Sequence, residues 1–533
     1  MTHLSIESEA DAASIGQARP AVAAAARIRH RLASLSGVRG DFASALSGAL
    51  AALALPPWHL LPALPLAIAG LLTQIDAARP GWRGVRRAAR RGYWFGFGYF
   101  ALGLYWITDA ILVRAASFWW LVPFAVPLTA LGLAAFIAVP AGLARLFPPG
   151  LPRLLGFSGF FTLGELARGL VLTGFPWNLF GSVWELPGRL GDVFIQPAAW
   201  IGVYGLTLAT VLLAALPTLG RRGWIAAAAI LLLWGAAGTA RLAAAPPSPR
   251  RLRVALVQGN IPETIKFDRA SALRIFETYL ALTRQAASAA NGHSLAIVWP
   301  ETASPYLLQT DGGARAAIAA AAGPGVPVLA GSIRFDRHNR PRNSLIVVDG
   351  PGPPAAIYDK WHLVPFGEYQ PDWFPLPIEV VPGGGFSAGP GPRTLEVPGL
   401  PPFDPLICYE VIFSGEIVSK PRPDWLVNIT NDAWFGNTAG PRQHLAAARL
   451  RAVEEGLPLV RAANTGISAA FTARGRQIAR LGWGRRGLLI VQLPGALPPT
   501  LFARFGLLIP ALLAILLTGF GALAGMAPGK QKS

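Results

Sequence analysis

Long apolar stretches dominate this chain and set what it can fold into. Candidates fall near 40–56, 58–75, 92–112, 118–142, 154–174, 194–218, 223–241 and 501–525. A helix needs roughly 20 mostly apolar residues to cross about 30 Å of hydrocarbon. The pattern therefore predicts a membrane-embedded helical bundle of about eight spans. Pro56-Pro57-Trp58-His59 separates the first pair, which also fits a single re-entrant hairpin. Of the 533 residues, 53% are hydrophobic and 14% charged. Soluble proteins carry about 25% charged residues, so the composition argues against a wholly soluble chain. High hydrophobicity excludes disorder, and a single cysteine excludes a disulfide scaffold.

The net charge of +19 has a position-dependent meaning. Arg27, Arg29, Arg31 and Arg39 precede the first stretch. Arg79, Arg83, Arg86, Arg87, Arg90 and Arg91 follow the second. Arg145, Arg153, Arg221, Arg222, Lys530 and Lys532 continue the same alternation, and the opposite connections offer little beyond Arg114 and Arg189. Basic residues concentrate on the cytoplasmic side of membrane proteins. Both termini are then cytoplasmic, the number of spans is even, and the segment before the last span lies outside. Charge here encodes topology, and no nucleic-acid partner is expected. Residues 1–38 are Ala- and Arg-rich, and neither a cleavable signal peptide nor an internal repeat is expected. The expected organisation is a basic tail (1–39), a seven-span membrane domain (40–246), an extramembrane domain (247–497) and a final span with its tail (498–533).

The extramembrane segment alternates short apolar runs with Gly/Pro turns. RLRVALVQGN (251–260), LAIVWPE (295–301), VPVLAGSIRF (326–335), NSLIVVD (343–349), AAIYDK (355–360), DPLICYE (404–410) and DWLVNITNDAWF (424–435) read as strands, and 269–290 has helical spacing. Near-continuous apolar strands with intervening helices predict an α/β domain whose sheet is buried on both faces. Three runs end in reactive residues: Glu301, Lys360 and Cys408. Taken singly, each has an ordinary alternative: a capping or ion-paired glutamate, a solvated lysine, a small buried hydrophobe. Only 5 lysines stand against 42 arginines, which raises the weight of Lys360. Together they form a complete chemical set. A carboxylate takes the thiol proton, the thiolate attacks a carbonyl, and a compact ammonium stabilises the oxyanion.

WPET (299–302), YDKWHLVPFGEY (358–369) and CYE (408–410) resemble the three motifs of the nitrilase superfamily. GFPWNLFGS (174–182), VQGN (257–260), NITNDAWFG (428–436) and the final apolar stretch resemble one branch, the apolipoprotein N-acyltransferases. The resemblance covers about 40–525. It implies a multi-pass bacterial inner-membrane protein with a nitrilase-like αββα domain facing the periplasm. It implies Glu301 as base, Lys360 as oxyanion stabiliser and Cys408 as nucleophile. Glu368, Glu410 and Asn343 are implied as supporting residues. The implied reaction moves an acyl chain from a membrane phospholipid, through a cysteine thioester, to the N-terminal amine of a diacylated apolipoprotein. A membrane-anchored amidase or hydrolase with the same nucleophile is the alternative, and a non-enzymatic lipid-binding protein is a third.

Trp361, Phe366, Tyr369, Trp373 and Phe374 crowd one Pro/Gly-punctuated loop, which suits the headgroup level of a bilayer. Trp434-Phe435 are expected to form a second lip. Trp361, Tyr369, Tyr409 and Trp434 are the expected substrate contacts. Glu165 and Arg168, at i,i+3 in an apolar stretch, are expected to pair structurally. His362 and His444 are expected to be structural, with no metal-ligand spacing. No phosphate loop or dinucleotide fingerprint occurs, so no cofactor is expected. The chain is expected to act as a monomer.

Overall fold

The computed structural model describes residues 20–113, 118–372 and 385–526. Arg114, Trp373, Phe374, Lys530 and Lys532 lie outside the described residues. Helices Gly37–Ala52, Ala63–Asp76, Trp82–Gly103, Val122–Ala144, Leu151–Leu170, Ala198–Ala215, Arg221–Ala243 and Leu508–Met526 overlap the eight apolar stretches. Among the described residues, four helices are long and apolar enough to cross a membrane: Trp119–Ala144, Ala198–Leu219, Arg221–Ala243 and Leu508–Met526. The first two of the eight have 16 and 14 residues. At 1.5 Å per residue they rise about 24 and 21 Å, short of the hydrocarbon thickness.

The arginine-rich segment after Ala63–Asp76 differs from the expected loop. Arg83, Arg86, Arg87, Arg90 and Arg91 already belong to the Trp82–Gly103 helix. Arginine is a good helix former, and tertiary partners hold these side chains. Arg90 and Arg91 both pair with Asp41, and Arg87 donates to the Leu35 carbonyl at 3.1 Å. Arg145 reaches the Ala78 carbonyl at 2.9 Å, and Arg153 pairs with Asp76. The basic connections thus gather at one end of the bundle. The extramembrane domain sits at the other end: Tyr409 donates to the Gly174 carbonyl at 3.0 Å and Arg449 to the Leu186 carbonyl at 3.0 Å. Close helix contacts rest on small residues. A Cβ on Gly96 would sit 2.8 Å from Ala134 Cα.

Eleven strands are described in the extramembrane domain. They are β1 (Arg253–Gln258), β2 (Leu295–Val298), β3 (Val328–Phe335), β4 (Pro341–Val348), β5 (Ala356–Asp359), β6 (Phe403–Ile407), β7 (Trp425–Thr430), β8 (Leu459–Ala463), β9 (Ser468–Phe471), β10 (Gln477–Leu481) and β11 (Gly487–Gln492). They form two sheets, ordered β11-β1-β2-β3-β4-β5 and β10-β9-β8-β7-β6. Neighbours β1, β2 and β3 run parallel, as do β6, β7 and β8, and the flanking strands are antiparallel.

Alternation within β1 explains its unbroken apolar run. Val254 and Leu256 face Val427, Ile429 and Val460 of the other sheet. Ala255 and Val257 face the helices Ala272–Ala289 and Gly312–Ala322. The second sheet is covered by helix Gly440–Glu455, whose Leu445, Ala448 and Ala452 join one core with bundle residues such as Trp177 and Val203. The layers are therefore αββα, with the bundle against the last. Glu165 and Arg168 pair at 3.5 Å, as expected. Arg168 also donates to the Trp177 carbonyl at 2.7 Å, and Glu165 accepts the Phe180 N–H at 3.0 Å. The pair thus pins the GFPWNLFGS connection beneath the extramembrane domain.

Candidate active site

The chain leaving β2, β5 and β6 converges at one end of the sandwich. Glu301 lies three residues beyond β2 and is buried. Its Oε1 accepts from Asn343 Nδ2 at 2.7 Å, and its Oε2 from the Asn431 N–H at 2.9 Å. Gly331 on β3 permits this approach, since a Cβ there would lie 2.7 Å from Glu301 Cα. Lys360 directly follows β5, and its N–H donates to the Asn343 carbonyl at 2.8 Å. Its buried Nζ lies 2.7 Å from Glu368 Oε2 and 3.4 Å from Glu301 Oε1. Asn343 Nδ2 also donates to Glu368 Oε1 at 3.0 Å, so one amide bridges both carboxylates around the ammonium.

Cys408 directly follows β6 with φ of 51°, a left-handed conformation uncommon outside glycine. That sharp elbow lifts the side chain off the strand direction, and strain of this kind clusters at functional sites. Two buried networks hold the elbow. Glu410 accepts the Ile407 N–H at 2.6 Å, the Trp361 N–H at 2.7 Å and the Tyr358 hydroxyl at 3.1 Å. It thereby ties the Cys408 turn to the loop that carries Lys360. His444 reaches the Cys408 carbonyl through Nε2 at 3.0 Å, and Arg461 lies 3.0 Å from Nδ1 and 2.7 Å from Asp432 Oδ2. His444 Nδ1 also lies 2.9 Å from Asp432 Oδ1, so the ring is fixed between the Cys408 carbonyl on one side and the Asp432–Arg461 pair on the other. Burial, reinforced by Arg461, holds the His444 pKa below its ordinary value.

Electrostatics fix the resting proton inventory. Burial pushes the Cys408 thiol up, the Glu301 carboxylate adds to this, and Lys360 opposes both. Burial also works against an ionised Glu301, but Lys360, Lys266 and Asn343 outweigh it and hold the carboxyl below its usual range. For Lys360, burial is likewise outweighed, by Glu368 and Glu301, and its pKa rises. The site therefore rests as thiol, carboxylate and ammonium. A thiol so far above its neighbouring carboxylate does not ionise in advance; its proton leaves as the sulfur attacks.

Other expected residues fall around this centre. Trp361 and Tyr369 line a cavity of about 560 Å³ with Leu170, Leu172 and Thr173 from the bundle. Tyr409 is buried, its hydroxyl on the Gly174 carbonyl, so it straps the two halves of the protein. His362 joins the same junction, stacked 3.6 Å from Phe413 and 2.8 Å from the Thr173 carbonyl. Trp434 is half-buried on the turn after β7. Phe435, expected at a second lip, is instead wedged 4.6 Å from Trp106 and 5.7 Å from Trp177. Asn431 and Asp432 lie in the NITNDAWFG motif but are singled out there for no role, and Arg461 and Lys266 lie in no motif. The scarcity of lysine that drew attention to Lys360 applies equally to Lys266, whose Nζ donates to the Glu301 carbonyl at 3.1 Å.

Glu410 yields the first prediction. Burial pushes its carboxyl up to about 7 against the N–H donors of Ile407 and Trp361. In Glu410→Gln, one of those buried N–H groups faces an amide NH₂ and loses its acceptor. The expected cost is about 1–3 kcal/mol. It is read as a lower melting temperature in detergent, with slower chemistry as the elbow and the Lys360 loop uncouple.

An α/β sandwich with a buried cysteine elbow and a paired lysine and glutamates, seated on a helical bundle, defines the class. Residues 253–497 match the carbon-nitrogen hydrolase family, and residues 47–216 match the apolipoprotein N-acyltransferase N-terminal domain. The chain is 39% identical over 515 residues to the apolipoprotein N-acyltransferase of Rhodopseudomonas palustris, covering 91% of this chain and 95% of that protein. It is 42% identical over 488 residues to the one of Bradyrhizobium diazoefficiens, covering 86% and 90%. A CN-hydrolase superfamily protein of Xanthomonas campestris matches 46% of this chain and 91% of its own, at 18% identity and a TM-score of 0.35. The chain belongs to the apolipoprotein N-acyltransferase family.

Proposed function

We propose that this protein moves an acyl chain from a membrane phospholipid onto Cys408, then to the N-terminal amine of a diacylated apolipoprotein. The observation that carries this reading is the convergence of Cys408 with Glu301, Lys360 and Glu368 beside the junction with the bundle. In the first half-reaction the Cys408 sulfur attacks the donor's ester carbonyl while Glu301 takes the thiol proton. The Lys360 ammonium faces the tetrahedral oxyanion, a role suited to a buried cation that Glu368 holds in place. The ester C–O bond breaks, and Glu301 returns the proton to the departing lysophospholipid. In the second, the acceptor amine attacks the thioester, the C–S bond breaks and the thiol is restored. The junction cavity, with Leu170 and Leu172 on one wall and Trp361 and Tyr369 on another, is the entry for lipid chains.

Purified enzyme given phospholipid and a diacylated lipopeptide is expected to yield triacylated peptide and lysophospholipid in equal amounts. Free fatty acid as the main product would instead assign a hydrolase.

The same reading places eight spans in the bacterial inner membrane, both termini in the cytoplasm, the domain 247–497 in the periplasm, and a monomer as the working unit. Support comes from the basic connections sharing the end of the bundle opposite that domain. Reporter fusions after Arg91 should report cytoplasm and fusions after Arg250 periplasm. Both on one side would overturn this topology.

A further inference from the structure

The turn after β1 brings a further carboxylate to the edge of the site. Glu263 Oε2 accepts from Asn431 Nδ2 at 2.6 Å. The Asn431 backbone N–H donates to Glu301 Oε2 at 2.9 Å, so a single residue links the two carboxylates. Asn431 is fixed in turn by Asn464, which donates to its Oδ1 at 3.0 Å and to the Ile261 carbonyl at 2.7 Å. Glu263 Oε1 is closed to solvent and has no hydrogen-bond partner among the described residues. Lys266 spends its one described hydrogen bond on the Glu301 carbonyl, while its charge lies within reach of Glu263, Glu301 and Cys408 together. A buried carboxylate oxygen left without a donor calls for an explanation.

The chemistry of the two substrates distinguishes what this oxygen is for. A carboxylate repels the donor's phosphate and accepts hydrogen bonds from a cation. The acceptor presents an α-amine whose ordinary pKa is about 8, so it arrives largely as an ammonium. We propose that Glu263 is the docking group for the acceptor's α-ammonium, placed one residue from the base. This inference rests on the two-step thioester reading. The bound ammonium releases one proton to water. The resulting amine attacks the thioester carbonyl, the C–N bond forms and the C–S bond breaks. Glu301 carries the remaining excess proton from nitrogen to the Cys408 sulfur.

Single-turnover labelling of Glu263→Gln and Glu263→Ala separates the half-reactions. Tagged phosphatidylglycerol and tagged phosphatidylethanolamine serve as donors in parallel, followed by a diacylated lipopeptide over a range of concentrations. Cys408 is expected to acylate at the wild-type rate from both donors, which also shows that the variants are folded. Half-maximal transfer is expected to need on the order of tenfold more lipopeptide or higher, the loss of a charge-assisted contact. Acylation slowed as much as transfer would overturn the proposal in favour of a structural role. A defect confined to acylation from phosphatidylethanolamine would assign the contact to the donor headgroup and overturn it equally. Unchanged lipopeptide dependence in both variants would also overturn it. Wild-type protein that never carries label on Cys408 would reject the thioester reading itself, a separate outcome.

Discussion

Cys408→Ala will retain the fold and lose both acyl-enzyme formation and product, a fall on the order of 10⁴-fold or more, as for removal of other covalent nucleophiles. Cys408 is buried in one cluster with Ile407, Val427 and Ile429 and makes no disulfide, so a smaller side chain costs the fold little. The proposed mechanism offers no substitute: in it Glu301, Lys360 and Glu368 polarise and move protons, and Cys408 alone receives the acyl group. Cys408→Ser separates nucleophile identity from packing. The thiol pKa is already raised by burial and Glu301. A hydroxyl starts far higher still, so Glu301 faces a much steeper proton transfer and acylation is expected to remain severely impaired. Quantitative labelling from a tagged phospholipid checks both variants. Label at wild-type level on Cys408→Ala would move the nucleophile elsewhere.

Lys360→Arg will not rescue function although it conserves charge. Lys360 Nζ sits 2.7 Å from Glu368 and 3.4 Å from Glu301 in a buried slot bridged by Asn343. A planar guanidinium is larger and holds its donors in a rigid fork, so it does not reproduce one compact cation set against both carboxylates in this buried slot. Loss of an oxyanion stabiliser costs about 10²–10³ in rate, or roughly 3–4 kcal/mol of transition-state stabilisation. Lys360→Met is expected to be worse in stability, because it leaves two buried carboxylates without their cation. Single-turnover acylation rates and melting temperatures of the two variants separate these effects. Near-normal acylation in Lys360→Arg would show that the lysine is peripheral.

Much of this arrangement was readable in the sequence, and the exceptions share a cause. Apolar stretches survive as helices because hydrocarbon leaves the backbone no other partner than itself. Glu301, Lys360 and Cys408 were visible because each sits at or just beyond the end of a β-rich run. The first half of Trp82–Gly103 was not legible as helix, since its arginines read as a loop until Asp41 is seen beside Arg90 and Arg91. Helix Gly440–Glu455 hides in the same way. No element is assigned to it from the sequence, and its charged Arg449, Arg451 and Glu454 are buried and paired with Glu185, Asp192 and each other. β8 carries Arg461 in its interior, whose partner Asp432 lies on a different segment. Buried charge reads as solvent-facing whenever its partner is remote in sequence. Tyr409 adjoins the nucleophile in the motif, but its hydroxyl serves the junction with Gly174, a contact that depends on how the two halves dock.

The central claim is a fatty-acyl thioester on Cys408, and intact mass of the protein purified from native membranes tests it most directly. A fraction of wild-type molecules should carry one added fatty-acyl mass. Hydroxylamine should remove it, incubation with a diacylated lipopeptide should discharge it, and Cys408→Ala should never show it. An adduct that persists in Cys408→Ala, or wild-type protein that stays unmodified when charged with phospholipid in the absence of acceptor, would contradict the account.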